Sequence, residues 1–519
     1  MKSLYTNLFP ILAAASLVAG QSAKLGQWDF VGHSGVSTMH GILSPGTNKV
    51  LFIERVELAT EVTINGKPTY TVEYDLDTNT IRPLTTISNT FCSAGGYLMN
   101  GTVMNLGGAE SSQQVDQGFN KIRMFTPCND AKCDWWANNA DLSVLRWYPS
   151  VEQLADGTLF VLGGANKGVA VNDAATNVPS YELFPPKGKG GAIPIDFLTE
   201  TLPYNLYPSV HLLPDSNLFI MANVKSIIFD TTTFSKKVDL PVIPGPPRHY
   251  PLTGGSVILP LDPANNYEPE ILVCGGADSL KATSKGENTC GRIKPLDKTP
   301  MWYMEEMPFG RLMPDIALLS DGEVMILNGC LKGTAGFGKG TDPVLTPILY
   351  NPTAKKGARM TQLQPSYIPR MYHSIAFTVP SGQLLVSGSN PNKNPTGEGP
   401  FPTDFRVEIF TPPFFFTGQP QPLIKQAPGE IKYGQKFEVE IETYSDKPKV
   451  SANILNSGFV THSTHMSQRQ IWLETEYKNG KLSLTAPPNG GVAPPGPYLM
   501  FVVENGVPSK AVWIMLGGK

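Results

Sequence analysis

The sequence predicts an all-β protein, a seven-bladed β-propeller followed by an immunoglobulin-like β-sandwich. Three observations lead there. Composition is the first: 50 glycines and 47 prolines in 519 residues, with 16% charged residues, suit many short strands joined by tight turns. The second is a recurring cassette of a turn, often Asp-Gly, then four or five apolar residues, then Gly-Gly or a small polar substitute. The third is a change after Pro412-Pro413, where the cassette stops and short alternating segments take over.

Taken in order, the chain opens with Lys2, the apolar run Leu8 to Val18 and Ala19-Gly20. This reads as a secretory signal peptide over residues 1–20, so the expected product is secreted and extracellular. The run is too short for a membrane anchor, and no later stretch is long enough to span a bilayer. Apolar cassettes then begin at Val50, Val103, Leu159, Leu218, Ile271, Val324 and Leu384, in steps of 53, 56, 59, 53, 53 and 60 residues. Seven copies at a period just above fifty mark a kelch-type propeller, one four-stranded blade per copy, over residues 21–420. Pro420 to Pro428 reads as a linker, and residues 421–519 as the sandwich. Within it Lys436 to Glu442 alternates like an exposed-edge strand, and Asn-Gly pairs at 479 and 505 mark turns.

The net charge of -3 offers no basic surface for nucleic acid. Six cysteines in an oxidising compartment should mostly pair: Cys128 with Cys133 across a small loop, and Cys274 with Cys290. Cys330 follows an apolar strand and reads as a buried, inert thiol. Cys92 is either a second such thiol or one with a chemical partner. Asn100-Gly101-Thr102 is a sequon compatible with N-glycosylation.

Two strong metal-binding groups stand side by side at Tyr372-His373, an imidazole that suits copper, zinc or iron and a phenol that favours an oxidised metal. A second source of ligands is the segment from Gly458 to His465, which carries His462 and His465. Residues three apart on a strand point to opposite faces, so one should face a site and the other should be exposed. No His-Glu-x-x-His is present to support a zinc protease.

Four segments in order, Phe91-Cys92-Ser93-Ala94-Gly95-Gly96, Arg146-Trp147-Tyr148-Pro149-Ser150, Arg370-Met371-Tyr372-His373-Ser374 and Val460-Thr461-His462-Ser463 with Gln468-Arg469, resemble the motifs of the secreted copper radical oxidases. That family is typified by galactose oxidase and glyoxal oxidase, and the resemblance covers essentially the whole mature chain. It implies one copper ion held by Tyr148, His373 and His462 with Tyr372 axial, a tetragonal N,O set that Cu(II) favours. It further implies a thioether between Cys92 and Tyr148, which would account for the unpaired Cys92. Cys92, Tyr148 and Tyr372 are then the catalytic residues, with Tyr372 as general base and Tyr148 as the radical that takes a carbon-bound hydrogen. The logic is electronic: a two-electron oxidation needs two acceptors, and one copper ion supplies one. Substrate and O2 would yield hydrogen peroxide for extracellular peroxidases, from a monomeric enzyme.

Galactose oxidases place a tryptophan eighteen residues beyond the linked tyrosine, where this chain has Asn166. The chain also begins its first repeat soon after the leader, with no N-terminal sugar-binding domain. Both features look more like glyoxal oxidases, which oxidise small aldehydes such as glyoxal and methylglyoxal to carboxylic acids, and imply a more exposed Tyr148. An oxidase of primary or aromatic alcohols is the alternative within the fold, and a non-catalytic glycan-binding propeller the alternative outside it.

Overall fold

The computed structural model describes residues 24–56, 60–394, 400–478 and 480–517. The expected signal peptide and Asn479 of one expected turn lie outside the described residues. Seven antiparallel sheets follow one another, and each of the seven apolar cassettes is the second strand of its sheet: Lys49–Ile53, Val103–Leu106, Leu159–Leu162, Leu218–Ala222, Ile271–Gly275, Val324–Leu327 and Leu384–Gly388. These strands are apolar on both faces because both faces are covered; all their residues except Lys49 are buried. Burying each large aliphatic side chain stabilises the fold by about 1.5–3 kcal/mol.

The last sheet is not built from local sequence alone. Gln27–His33 pairs antiparallel with Arg406–Thr411 and completes it. The innermost strands of the second to seventh sheets pack each on the next, and Ser374–Thr378 returns to contact His40–Ser44 of the first. This succession is in keeping with the propeller expected from the repeat.

The C-terminal region forms two sheets around a shared apolar core that includes Phe437, Val439, Ile441, Ile454, Ile471 and Tyr498. Two expectations are corrected here. Leu423–Gln426, inside the expected linker, is a strand paired with Lys436–Glu442. Lys436–Glu442 is not an edge, since it also pairs with Lys481–Thr485. Its polar-apolar alternation instead reflects one buried and one solvated face. Among the described residues no helix is long and apolar enough to cross a membrane.

One hairpin ties the two regions together. Phe459–Thr461 pairs with Thr464–Met466 and also with His40–Ser44, adding two strands to the inner edge of the first sheet. Thr464–Met466 touches the innermost strands Ala94–Tyr97, Ser150–Gln153, Gly254–Ile258 and Asp315–Leu318. The approach is close: a Cβ on Gly95 would lie 2.5 Å from the Phe459 ring and 2.6 Å from the Met104 carbonyl, so only glycine fits.

Candidate metal centre

The site is built by one turn used repeatedly. Two residues before the innermost strand, the backbone is left-handed at Thr38, Cys92, Tyr148, Tyr207 and Met313, with φ of 32, 57, 60, 49 and 58°. In the last sheet the left-handed residue is His373, directly before Ser374, with φ 66°. Such residues cost on the order of 1–3 kcal/mol each and persist where surrounding structure over-determines them. Buried arginines supply much of that. Arg146, Arg248, Arg311 and Arg370 donate to the carbonyls of Gly163, Gly275, Asn328 and Gly388, each at the end of the second strand of the same sheet. Arg146 and Arg370 are neutralised by Glu182 at 3.0 Å and Glu408 at 2.8 Å.

His462 arrives from the other direction. It and Ser463 form the two-residue loop of the hairpin, with φ of 48 and 65°, the geometry of a type I′ turn that glycine and asparagine favour. The turn lifts the imidazole off the end of the strand into the cluster.

Cys92, Tyr148, Tyr372, His373 and His462 come together in one buried cluster. The Tyr148 hydroxyl lies 2.5 Å from the Tyr372 hydroxyl and 3.1 Å from His462 Nε2. Cys92 Sγ lies 3.6 Å from the same nitrogen, and the Cys92 carbonyl accepts from the Tyr148 amide at 3.0 Å. One ligand atom each of Cys92, His373 and His462 falls within 4.8 Å of the others. The two imidazoles are 4.6 Å apart at 78°.

Burial sets the charge state. It pushes the Tyr148 and Tyr372 phenols and the Cys92 thiol well above their ordinary pKa, and holds His373 and His462 well below theirs. The cluster is therefore neutral, and a bound cation would reverse the balance by favouring phenolate. Neither ring nitrogen of His373 has a hydrogen-bond partner among the described residues; the Asn390 carbonyl is near the ring without meeting hydrogen-bond geometry. A buried imidazole with both nitrogens unpaired is costly. It is the feature that a copper ion, with its taste for imidazole and phenolate, would relieve.

Several expectations need correction. His465 is buried, not exposed, with Nε2 3.1 Å from Asp315 Oδ1. Alternation of faces holds only along a continuous strand, and the turn at 462–463 interrupts it. Asn166 is exposed and donates to the Ala175 carbonyl at 3.3 Å. Tyr148 is nonetheless fully buried, so its expected exposure is not found. Trp147 covers it from the neighbouring position, ring centroids 3.8 Å apart, and Tyr207 and Tyr250 pack at 4.5 Å each. These last two were not anticipated, although the recurrence of Tyr-Pro at 148, 207 and 250 could have pointed to them. On another side, Phe337 packs edge-on against Tyr372 and His373 and stacks on Phe91, with the Arg55 guanidinium 4.5 Å above its ring.

The remaining cysteines behave as expected. Cys128–Cys133 and Cys274–Cys290 are disulfides, while Cys330 is a buried free thiol pushed by burial up to about 12. Cys92 is also unpaired with any other cysteine.

Comparison with known proteins gives a consistent picture. The family described as "Glyoxal oxidase N-terminus" matches residues 58–414, and "Galactose oxidase-like, Early set domain" matches residues 421–516. The chain is 38% identical to "Aldehyde oxidase GLOX" of Vitis pseudoreticulata over 86% of each chain. It is 35% identical to "Aldehyde oxidase GLOX1" of Arabidopsis thaliana, over 95% of this chain and 84% of that one. Among solved structures, a fungal alcohol oxidase of the AA5 family in complex with copper shares the fold, with a TM-score of 0.76 at 17% identity, covering 95% of this chain and all of the other.

Proposed function

The chain belongs to the glyoxal oxidase family, and on that premise we propose that it is a copper radical oxidase. Its substrates would be small aldehydes, taken as their hydrates to carboxylic acids while O2 is reduced to hydrogen peroxide. The observation that carries this reading is the convergence of one thiol, two phenols and two imidazoles, one of them without a hydrogen-bond partner among the described residues, in a single buried cluster.

Tyr148, His373 and His462 would hold the metal, with Tyr372 as the fourth ligand. Bound there, copper would supply the one-electron acceptor that an oxidisable tyrosine complements. The chain's own residues do the rest. Tyr372 Oη takes the proton of the substrate hydroxyl. Tyr148, once joined to Cys92 by a thioether, would take the carbon-bound hydrogen. Trp147, Tyr207 and Tyr250 pack around the Tyr148 ring and exclude water from it. Each turnover removes two electrons and two protons from the hydrate, and O2 takes them up as H2O2.

Peroxide release from the copper-loaded protein tests this directly. Methylglyoxal should be turned over and benzyl alcohol should not; the reverse would assign an alcohol oxidase, and no peroxide from either would sink the reading. Peptide mass analysis supplies the second arm, where a species joining the Cys92 and Tyr148 peptides, lighter by two hydrogens, is expected after copper treatment.

A further inference from the structure

His462 differs from His373 in having a partner on its far nitrogen. Thr461 Oγ1 lies 2.7 Å from His462 Nδ1, and the same hydroxyl is 3.0 Å from the backbone carbonyl of Met39. A carbonyl only accepts, so the hydroxyl proton is committed to Met39 and the oxygen is left to accept from Nδ1–H. We infer that Thr461 is a positioning residue that locks His462 in the Nδ1–H tautomer, so that Nε2 carries the free lone pair toward Tyr148 and Cys92.

The surroundings fit this assignment. Thr461 is fully buried, and its strand is paired to the strand that follows Met39 through His40 and Gly41. The acceptor that takes the hydroxyl proton therefore comes from the first sheet, while the imidazole comes from the C-terminal region. Correct docking of the hairpin and correct protonation of the ligand are the same event. With Nε2 as acceptor, the Tyr148 hydroxyl at 3.1 Å donates to it, and the Tyr372 hydroxyl at 2.5 Å donates to Tyr148. A chain of two phenolic protons thus ends on the nitrogen where a metal would sit, and a metal bound there would displace them. The opposite tautomer would place a proton on Nε2, leave Thr461 donating to Nδ1, and forfeit the Met39 bond.

This inference rests on the proposed copper centre only for its consequence, since the tautomer belongs to the copper-free protein. Selective ¹⁵N-histidine labelling of that protein reads it without any substitution: the His462 ring should show Nδ1 protonated and Nε2 bare, and the reverse pattern would overturn the inference. The consequence is read by copper affinity in chelator competition and by nitrogen hyperfine structure in the Cu(II) spectrum. Thr461→Val, similar in shape but without the hydroxyl, should weaken copper binding by about 10–100-fold, the usual effect of losing such a partner. Thr461→Ser, which keeps it, should restore binding. If Val binds copper as tightly as the native chain, with an unchanged spectrum, Thr461 has no such role. A native protein that binds no copper would instead defeat the proposed function and leave the tautomer measurement standing.

Discussion

Two histidines three residues apart on one hairpin have opposite surroundings. His465, at the root, has its Nε2 on Asp315, and the residues after it are held on all sides: Gln468 bonds the Leu318 amide at 2.8 Å and the Ile316 carbonyl at 3.0 Å, and Arg469 donates to the Leu212 and Gly491 carbonyls at 2.7 Å each. His462, at the tip, sits in a left-handed turn with Nε2 facing phenols and a thiol, across from a His373 whose ring nitrogens have no hydrogen-bond partner among the described residues. At the root most polar groups are bonded, His465 Nδ1 and Gln470 Oε1 being exceptions among the described residues, whereas at the tip His462 turns Nε2 toward the groups that would share a metal with it. Buried groups left unpaired are destabilising, so the tip is held in place by the root.

The contrast breaks most completely if the tip can be altered without consequence for chemistry. Tyr148→Phe should abolish peroxide release while leaving the melting temperature close to native, because the ring and its packing remain; residual turnover above a copper-free blank would remove Tyr148 from its role. Tyr372→Phe should lower kcat by about 10²–10⁴-fold, the usual contribution of a positioned proton acceptor. A loss confined to KM would mean that Tyr372 only binds substrate.

The same contrast shows what could be read from the chain. The seven cassettes are visible because each central strand is covered on both faces, which forces an uninterrupted apolar run. Tyr372-His373 is visible as two metal-binding groups on adjacent residues, whereas Cys92 and Tyr148 are legible only through the resemblance of their segments to a known family, since nothing local to either names its partner. The pairing of Gln27–His33 with Arg406–Thr411 and the docking of the hairpin on His40–Ser44 join segments hundreds of residues apart, and no local pattern encodes the partner. His465 was misplaced because the expectation assumed an unbroken strand through 462–465, whereas the turn resets which face each residue takes. The cover of Tyr148 comes from the adjacent Trp147 and not from the position eighteen residues on, at Asn166, because the turn at 148 folds the neighbouring indole against the phenol ring.

At the root, effects should appear in stability rather than in chemistry. Asp315→Ala leaves His465 Nε2 and the Asn328 amide, which donates to Asp315 at 2.7 Å, without their partner. Each unsatisfied group costs about 1–3 kcal/mol, so the denaturation midpoint should fall clearly while the folded fraction keeps its Tyr148-dependent turnover. If turnover per folded molecule collapses as well, root and tip are not separable and the contrast fails.

The smallest expected effect is a pH dependence of that same stability. Burial holds His211 down to about 3 and His249 down to about 4, from 6.5. The folded state therefore binds fewer protons there than the unfolded chain, and stability falls as pH drops below about 6.5. Glu152, whose carboxylate accepts from the Ser467 amide at 3.1 Å at the root of the hairpin, is pushed by burial up to about 8, and Glu54 up to about 7, from 4.5. Here the folded state holds protons that the unfolded chain has lost, so this contribution is complete below 4.5 and is lost as pH rises to 7 and then 8. The two sets oppose each other between 4.5 and 6.5, leaving an acid limb below that window and an alkaline limb above it. Denaturation midpoints measured from pH 4 to 8 should trace this dome, and Glu152→Gln should flatten its alkaline side. A native profile already flat above pH 6.5 would mean that Glu152 is ionised at the root, held there by the charge of Arg469.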